Sequence, residues 1–290
     1  MTSLPFSDVK SIHLEVVSGC NLRCASCSLT ITRKKLRFMS TETIATILNA
    51  FRGRDVLVAP YLGGEPLLHP DFPSVVRQIR AAGFSRIRIH TNGTVLDWQT
   101  AKALVEAGLN EVVFSIDGHD AAEFEHMRPP AKFECVRANL EMFLRAATAD
   151  VKVGVQCMVP PGTPREMNVD IADLRGQLAF EIVEYPHNWV WADAISGTVA
   201  PVGFEAPCYF LRHFMVFDWT GRVVPCCRCL NSEHVVGDVN AESAESIWTG
   251  SLESMRQAHV RGDAVTPCVS CDWYATKSTS STSLRVVQGH

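Results

Sequence analysis

The feature that most limits the possible folds is a repeated alternation of apolar strand patterns with helix patterns, in which successive strands end in glycine or polar residues. The strand patterns lie at 12–17, 56–62, 87–90, 112–118, 151–159 and 180–185. Helix patterns lie between them, at about 40–51, 73–82, 99–107 and 133–147. Strands that alternate with helices form a parallel sheet, and ligand groups at the carboxyl ends of such strands are typical of a barrel. The sequence therefore predicts an α/β fold with its functional site at that face.

The composition is that of a globular protein that keeps its cysteines reduced. The 290 residues suffice for one large domain with a smaller appendage, and 47% of them are hydrophobic. A net charge of −4 gives no reason to expect a nucleic-acid surface, and no apolar run reaches the roughly 20 residues of a membrane span. Because the N-terminus carries no signal-peptide pattern, we expect a cytoplasmic protein whose 11 cysteines serve metals or redox chemistry.

Three of the cysteines, Cys20, Cys24 and Cys27, fall in one short loop after the first strand pattern. Their C-x3-C-x2-C spacing allows the three thiols to grip one small inorganic core. An iron–sulfur cubane normally takes four thiolates, and a structural zinc site is normally closed by four protein ligands. A loop with three thiols therefore indicates a metal vertex left open for another ligand, with a zinc knuckle as the alternative.

A second motif, Gly63-Gly64-Glu65-Pro66, ends the next strand pattern. Two glycines let the backbone approach a ligand closely, and a glutamate can accept hydrogen bonds from an ammonium group. The cysteine loop and this motif together resemble the radical S-adenosylmethionine (radical SAM) enzymes, in which one iron of the cluster binds the amino and carboxylate groups of SAM. One position departs from the family pattern, because Ser26 stands where an aromatic residue often precedes the third cysteine.

The resemblance implies a set of SAM contacts at the ends of successive strands. It assigns Ser115 and Arg128 to the SAM carboxylate and Asp117 to support of its strand end, and an arginine is suited to bidentate carboxylate binding. From the residues alone, Ser115 can equally be a satisfied strand-end hydroxyl, and Asp117 can serve only to shape a turn. The full expected set is Gly63, Gly64, Glu65, Pro66, Asn92, Ser115, Asp117, Arg128 and Gln156.

A second group of cysteines follows the point near residues 196–205 where the alternation of strands and helices stops. Cys208, Cys226, Cys268 and Cys271 are separated by a predicted strand hairpin and by a helix pattern at 244–259. Four thiolates can close a cubane, and zinc is the alternative. The arrangement resembles the twitch domain, a shortened SPASM domain that follows many radical SAM barrels. By that match these four cysteines hold one auxiliary cluster.

We therefore expect a partial (β/α)6 TIM-like barrel over 1–195, a small α+β twitch domain of hairpin and helix over 196–278, and a flexible tail over 279–290. The implied cofactors are SAM and two [4Fe–4S] clusters, one at the SAM site and one auxiliary. Cys227 and Cys229 are spare thiols, and Cys157 is either core or a thiol near the barrel mouth. We take these three as candidate hydrogen-atom donors. Cys135 is expected in the core.

The loop after the sixth strand pattern holds the densest group of polar and aromatic residues in the chain. Aromatic rings stack on a sugar face or a cation, and carboxylates suit hydroxyl or ammonium groups. This loop is the expected substrate pocket, although either tryptophan can instead be a buried structural residue. The candidate substrate residues are Glu184, His187, Asn188, Trp189, Trp191 and Asp193.

In radical SAM enzymes the barrel cluster reduces SAM, and the resulting 5′-deoxyadenosyl radical takes a hydrogen atom from substrate carbon. The twitch resemblance implies a small polyhydroxylated substrate (an aminoglycoside, aminosugar or cyclitol) that is oxidised or epimerised at a carbinol in antibiotic-type biosynthesis. Modification of a ribosomally made peptide is the alternative, and a non-catalytic iron–sulfur or zinc protein is a third interpretation. A flavodoxin or ferredoxin is the expected reductant, with no nucleic-acid or membrane partner.

Overall fold

The computed structural model describes residues 3–159, 164–184, 207–230, 234–263, 266–268, 271 and 287–288. Its strands are β1 (Ser11–Leu14), β2 (Val17–Ser18), β3 (Arg37–Phe38), β4 (Leu57–Ala59), β5 (Arg88–Thr91), β6 (Glu111–Ser115), β7 (Lys152–Met158), β8 (Phe180–Glu184), β9 (Phe214–Phe217), β10 (Arg222–Val224), β11 (Gly237–Asp238) and β12 (Val287–Gln288). Its α-helices are α1 (Ser28–Thr32), α2 (Thr41–Ala50), α3 (Phe72–Ala81), α4 (Trp98–Glu106), α5 (Ala121–Met127), α6 (Phe133–Ala146), α7 (Tyr209–His213), α8 (Ala244–Thr249) and α9 (Ser251–Arg261). Shorter 3-10 segments run over Phe6–Asp8, Pro66–Leu68 and Val169–Gln177. Within these ranges no helix is both long and apolar enough to cross a membrane.

Six parallel strands form the predicted partial barrel. β1 pairs with β4, and β5 to β8 pair one after another, all in parallel. A parallel bridge between Val58 and Ile87 joins the two sets into one curved wall. The connections between these strands are helical, including the 3-10 segment Val169–Gln177 between β7 and β8. The predicted (β/α)6 architecture is therefore confirmed, and the carboxyl ends of its strands share one face.

Side-chain caps explain where the connecting helices begin. The Ser40 hydroxyl accepts a hydrogen bond from the Thr43 amide at the start of α2. Asp71 and Asp97 cap α3 and α4 in the same way. Each cap contributes about 1 kcal/mol because it satisfies an amide that has no partner inside the helix. The caps therefore set each helix start shortly after the strand end that precedes it.

Helix α6 matches its predicted range but corrects one expectation about the core. Its buried residues Phe133, Val136, Leu140 and Phe143 form a single stripe along the helix. Cys135 was expected in the core, and this is wrong because its side chain is exposed. At 100° per residue, position 135 lies about 120° around the helix from the centre of that stripe.

The hairpin expected in the second region continues the barrel sheet. β9 pairs in parallel with β1, on the side away from β4, and β10 pairs antiparallel with β9. Met215 and Phe217 on β9 are fully buried and belong to the same hydrophobic core as Ile12 on β1. The second region is thus joined to the barrel by backbone hydrogen bonds. The predicted boundary near residue 196 lies outside the described residues and stays a prediction.

The helix predicted over 244–259 is two helices, α8 and α9, that meet at Gly250. Glycine is among the poorest helix formers, which favours a break at this position. The Trp248 indole nitrogen donates to the carbonyl oxygens of Leu4 and Pro5 at 3.2 and 3.1 Å, and the Arg256 guanidinium lies 4.2 Å from the centre of the Trp248 ring. These contacts tie the C-terminal region to the N-terminus of the chain.

The expected flexible tail over 279–290 contains a strand. Val287–Gln288 form β12, which pairs antiparallel with β8. Without that partner one edge of β8 would leave its backbone groups unpaired, and an open edge favours the addition of a strand. The expectation of a flexible tail stays a prediction.

Candidate functional site

The cysteine loop Cys20–Cys27 lies between β2 and α1. Its backbone is held by the end of α5 and the segment after it. The Arg23 amide donates to the Pro129 carbonyl at 2.7 Å, and the Ala25 amide donates to the Met127 carbonyl at 3.0 Å. The shape of this local motif therefore depends on residues from a distant part of the chain.

The three thiols of this loop need a positively charged partner. They are half-buried, and burial raises the pKa of Cys20, Cys24 and Cys27, that of Cys24 to about 12 despite the opposing charge of Arg128. Metals bind the thiolate form, so metal binding must supply the charge that stabilises it. The Asn92 side-chain nitrogen lies 3.6 Å from the Cys20 sulfur, as a donor to it. The residues present fit an iron–sulfur cluster with a vertex open to SAM.

The glycine motif that follows β4 lies directly against the cysteine loop. A Cβ atom on Gly64 would lie 2.0 Å from the Val17 carbonyl oxygen and 2.7 Å from that of Gly19, which only glycine avoids. The Glu65 amide donates to the Gly19 carbonyl at 3.0 Å. The two motifs that the sequence singled out separately therefore form one continuous surface.

The buried Glu65 carboxylate stabilises this surface through hydrogen bonds. It accepts hydrogen bonds from the Thr91 hydroxyl and the Asn92 amide, both at 2.7 Å, and from the Leu67 amide at 3.1 Å. Its side chain is only 3% exposed, and burial raises its pKa. Pro66 begins the 3-10 turn that this carboxylate caps. Glu65 thus joins the ends of β4 and β5, and its expected bond to the SAM ammonium stays a prediction.

Arg128 forms an ion pair with Asp117 through one of its guanidinium nitrogens, and its other two guanidinium nitrogens remain available as donors. The Arg128 Nε donates to Asp117 Oδ2 at 2.7 Å, while Asp117 Oδ1 accepts from the Met158 amide at 3.0 Å. Burial would lower the pKa of Arg128, but Asp117 and the nearby Cys24 thiol raise it, so the side chain stays charged. Among the described residues the two terminal guanidinium nitrogens have no hydrogen-bond partner. They can receive a carboxylate, and the expected roles of Arg128 and Asp117 at the SAM site stay predictions.

Ser115 and Gln156 face each other in the register of β6 and β7. The Gln156 side chain bonds to two other side chains of the barrel, and its expected contact with SAM stays a prediction. Its Oε1 lies 3.0 Å from His90 Nδ1, and its Nε2 donates to Glu184 Oε1 at 2.6 Å. His90 was missed by the sequence analysis. The signal that could have found it is its position inside a strand that ends in the polar residues Thr91 and Asn92.

Cys157 lies on the opposite face of β7 from Gln156. It is fully buried in the main hydrophobic core, and burial raises its pKa to about 12. This placement corresponds to the core alternative and weighs against direct contact with a substrate.

The four cysteines expected to hold an auxiliary cluster line one cavity. Cys208, Cys226, Cys268 and Cys271 share this lining with Phe210 and Leu211 of α7 and with Arg228 and His259. Burial raises the pKa of Cys208 to about 12, so its thiol also needs a cation in order to ionise. No three metal-binding side chains in the described part of the chain converge tightly enough to hold a single ion. Four thiols around a shared space fit a cluster fully ligated by protein.

Two tight turns present four of the thiols in this region. The Cys229 amide donates to the Cys226 carbonyl, and the Cys271 amide donates to the Cys268 carbonyl, both at 3.1 Å. Cys229 is buried, and its sulfur lies 3.8 Å from that of Cys226. The contact with the Cys229 thiol lowers the pKa of Cys226 to about 7. Cys229 therefore adjoins an expected cluster ligand.

Cys227 packs against a small cluster of buried apolar residues that Leu62, which directly precedes the glycine motif, also contacts. Burial raises the pKa of the Tyr61 hydroxyl, and the nearby Cys227 thiol raises it further. The Leu230 side chain lies 3.4 Å from the position that a Cβ on Gly63 would take. The turn over residues 226–230 therefore packs against the glycine motif of the SAM site.

Of the candidate substrate residues, the structure describes Glu184 alone, which is half-buried at the end of β8. His187, Asn188, Trp189, Trp191 and Asp193 lie outside the described residues. Their assignment to a substrate pocket stays a prediction.

Comparisons with known proteins agree with this geometry. The family model of the radical SAM superfamily matches residues 14–175, and that of SPASM, an iron–sulfur cluster-binding domain, matches residues 208–272. The chain is 34% identical over 146 residues to a GTP 3′,8-cyclase of Chlorobaculum tepidum, a match that spans 50% of this chain and only 44% of the cyclase. It is 26% identical over 316 residues to the tungsten-containing aldehyde ferredoxin oxidoreductase cofactor-modifying protein of Pyrococcus furiosus, a match that spans 91% of this chain and 87% of that protein.

Solved structures share the fold over most of the chain. BtrN in complex with AdoMet and 2-DOIA matches with a TM-score of 0.64 and 20% identity, over 88% of this chain and 90% of BtrN. SuiB of Streptococcus suis, bound to the precursor peptide SuiA, matches with a TM-score of 0.61 and 15% identity, over 92% of this chain and 70% of SuiB. The chain therefore belongs to the radical SAM superfamily, and a SPASM-type iron–sulfur cluster-binding domain follows its barrel.

Proposed function

We propose that this radical SAM enzyme takes a hydrogen atom from a carbinol C–H of a small polyhydroxylated substrate, namely an aminoglycoside, aminosugar or cyclitol. The substrate radical would then either lose a proton and one electron, with the auxiliary cluster as the electron acceptor, to give the ketone, or take a hydrogen atom from a thiol to give the epimer. The observation that supports the proposal is the packing of Leu230 on Gly63, because Leu230 ends the turn 226–230 that also holds the spare thiol Cys227 and the expected cluster ligand Cys226. A substrate bound there would lie within reach of both.

The residues of the barrel would bind and orient the reactants. The bound cofactors supply what no side chain can, a 5′-deoxyadenosyl radical able to take a hydrogen atom from carbon. Arg128 would bind the SAM carboxylate through its two terminal nitrogens, since Asp117 takes only the Nε. Glu65 would keep the glycine motif in register with the loop of β5. Glu184 would accept a hydrogen bond from a hydroxyl or ammonium group of the substrate.

Two further points support a small substrate. The twitch-like spacing of Cys208, Cys226, Cys268 and Cys271 resembles that of enzymes acting on cyclitols and aminoglycosides. BtrN, whose fold this chain shares over nine-tenths of its length, was solved with the small molecule 2-DOIA beside AdoMet.

The choice between oxidation and epimerisation depends on a thiol. An epimerase needs a donor that returns a hydrogen atom to the opposite face of the substrate carbon. A dehydrogenase needs no such donor. Cys227 suits that role better than Cys157, because it lies near Tyr61 and the glycine motif whereas Cys157 lies in the core.

The test is anaerobic turnover in deuterated water with a panel of aminosugars and aminocyclitols, with reduced flavodoxin as the electron source. A two-mass-unit loss in the product indicates oxidation, and deuterium at an inverted carbon indicates epimerisation. Loss of that deuterium in Cys227→Ala, but not in Cys157→Ala, would identify the donor. If no member of the panel stimulates 5′-deoxyadenosine release above the rate without substrate, the substrate class is wrong.

A second candidate function is the modification of a ribosomally made peptide. The likeness to SuiB favours it, because that structure holds a precursor peptide on a fold that matches 92% of this chain. Peptide chemistry would use the same SAM site and the same auxiliary thiols. The two functions separate in one assay: a peptide encoded beside this gene would gain or lose mass in the presence of the enzyme, and the aminosugar panel would stay unchanged.

A further inference from the structure

A chain of three polar side chains crosses the inside of the barrel and ends at the expected substrate pocket. It consists of His90 on β5, Gln156 on β7 and Glu184 at the end of β8, and we call it the barrel relay. The distances are 3.0 Å from His90 Nδ1 to Gln156 Oε1 and 2.6 Å from Gln156 Nε2 to Glu184 Oε1. Polar groups inside a barrel are costly unless each is hydrogen-bonded, so their pairing calls for an explanation.

The donors and acceptors of the relay allow one arrangement. Gln156 turns its NH2 group toward Glu184, where the carboxyl oxygen Oε1 accepts the hydrogen bond. The Gln156 oxygen then faces His90 and also only accepts, so His90 Nδ1 must carry the proton. Burial lowers the pKa of His90 to about 4, which keeps the ring neutral with that single proton. The ring is further held by stacking on Tyr61 at 4.7 Å.

We propose that His90 is a positioning residue that acts through Gln156 to aim the Glu184 carboxylate at a hydroxyl or ammonium group of the substrate. The relay then serves the substrate and not SAM, which reassigns Gln156 from the expected cofactor set. This inference rests on the proposed function for the class of substrate that Glu184 receives. The existence of the relay itself does not depend on that class.

The chain offers a matched control in the same stack of rings. His13 on β1 packs on Phe214 at 4.9 Å and edge-on against Tyr61 at 5.6 Å. Like His90, it has a pKa lowered by burial, in this case to about 3. Its Nδ1 has no hydrogen-bond partner among the described residues, so it stands outside the relay. His13→Phe and His90→Phe thus make the same chemical change, and only the second removes a hydrogen bond.

The experiment compares His90→Phe, His90→Asn and His13→Phe in the reconstituted holoenzyme. His90→Phe keeps a ring to stack on Tyr61 but removes the donor, so KM for the best aminocyclitol or aminosugar of the panel should rise roughly tenfold while the Kd of SAM stays within about twofold. His90→Asn places an amide nitrogen near the former Nδ1 and should restore most of the lost affinity. His13→Phe should leave both constants as in the wild type.

Three results would overturn the inference. A loss of SAM affinity in His90→Phe as large as the loss of substrate affinity would return Gln156 to the SAM site. An equal loss in His13→Phe would attribute the effect to ring packing, and a failure of His90→Asn to rescue would exclude the donor role. If no panel compound is turned over, nitrogen NMR of the SAM-bound holoenzyme with labelled histidine still decides: a proton on His90 Nδ1 supports the relay, and a proton on Nε2 refutes it.

Discussion

The two thiol sets of this protein are assembled in opposite ways. Cys20, Cys24 and Cys27 lie within one loop, half-buried, beside an arginine with unused donors. The auxiliary thiols come from the start of α7, the turn after β10 and the C-terminal segment, and they line one cavity. The first set is local and open to a ligand, whereas the second exists only when distant segments have come together.

This difference indicates which contacts each site depends on. The loop needs neighbours that hold its backbone, such as Pro129 and Met127, and a glycine at position 64 that lets the next strand end approach. The auxiliary site needs the hairpin, which pairs with β1, and the helices that tie the C-terminal region to the N-terminus. A change in the first site should thus impair SAM cleavage, and a change in the second should impair only the later conversion of the substrate radical.

The largest expected effect comes from removing one thiol of each set. Cys24→Ala should abolish 5′-deoxyadenosine formation, because three thiolates are the minimum that leaves a single iron open. Cys268→Ala should lose the auxiliary cluster yet still cleave SAM. Each variant should fall from about eight to about four irons per chain. Iron and sulfide analysis with electron paramagnetic resonance checks the cluster content. Zinc in place of iron at either set, or SAM cleavage by Cys24→Ala, would contradict the assignment.

The next effect tests the contact between the glycine motif and the cysteine loop. Gly64→Ala should destabilise the protein by about 3 kcal/mol, because its Cβ would lie 2.0 Å from the Val17 oxygen. The apparent Tm should fall by roughly 5–10 °C. Gly63→Ala is the control for folding, since its Cβ would meet the Leu230 side chain at an ordinary 3.4 Å. Thermal unfolding under anaerobic conditions measures both, and equal Tm values would show that the two loops do not pack as described.

A smaller effect is expected from a change at Arg128, the residue expected to bind the SAM carboxylate. Arg128→Lys removes the paired donors that suit a carboxylate, so the Kd of SAM should rise roughly 10- to 100-fold. The control is Arg175→Lys on the protein surface, where Arg175 makes two hydrogen bonds to Glu181 at 2.8 and 2.6 Å. Equilibrium dialysis with labelled SAM separates the two variants. If both bind SAM as the wild type does, Arg128 does not receive its carboxylate.

The last effect is a dependence of stability on pH, and it tests whether the two regions unfold together. Burial lowers the pKa of His13 in the barrel to about 3 and that of His259 in the second region to about 4. The unfolded chain binds these protons below about pH 6.5 and the folded protein does not. Stability should therefore be unaffected by these groups above that pH and should fall by about 1.4 kcal/mol per pH unit for each histidine between about pH 6.5 and 4.

Denaturant unfolding at pH 7.5, 6.0 and 5.0 measures this dependence. Because β9 pairs with β1, His13→Phe and His259→Asn should each flatten the pH dependence of the same single transition. Two separate transitions, each sensitive to one of the variants, would show that the second region folds as an independent unit.

Much of the first site could be predicted from sequence because its parts are local. Three features can be recognised from short stretches of sequence. They are the spacing of three cysteines, a glycine pair at a strand end and an arginine after a later strand. The alternation of strands and helices likewise predicted the barrel, since parallel strands with short connections can close in few ways. Cys135 and the helix break at Gly250 were missed because the direction of a helix face and the strength of a break depend on what the helix packs against.

The sequence by itself determined the class of chemistry, because the number of thiols, their spacing and the motifs at the strand ends are all set by the order of the residues. Only the tertiary structure decided which of these residues contact each other and which are buried. It placed Gly64 against Val17, turned Gln156 toward His90 and Glu184, buried Cys157 and brought Cys227 near Tyr61. The physical reason is that hydrogen bonds and burial between residues far apart in sequence are set by strand register and by packing, which no local pattern specifies.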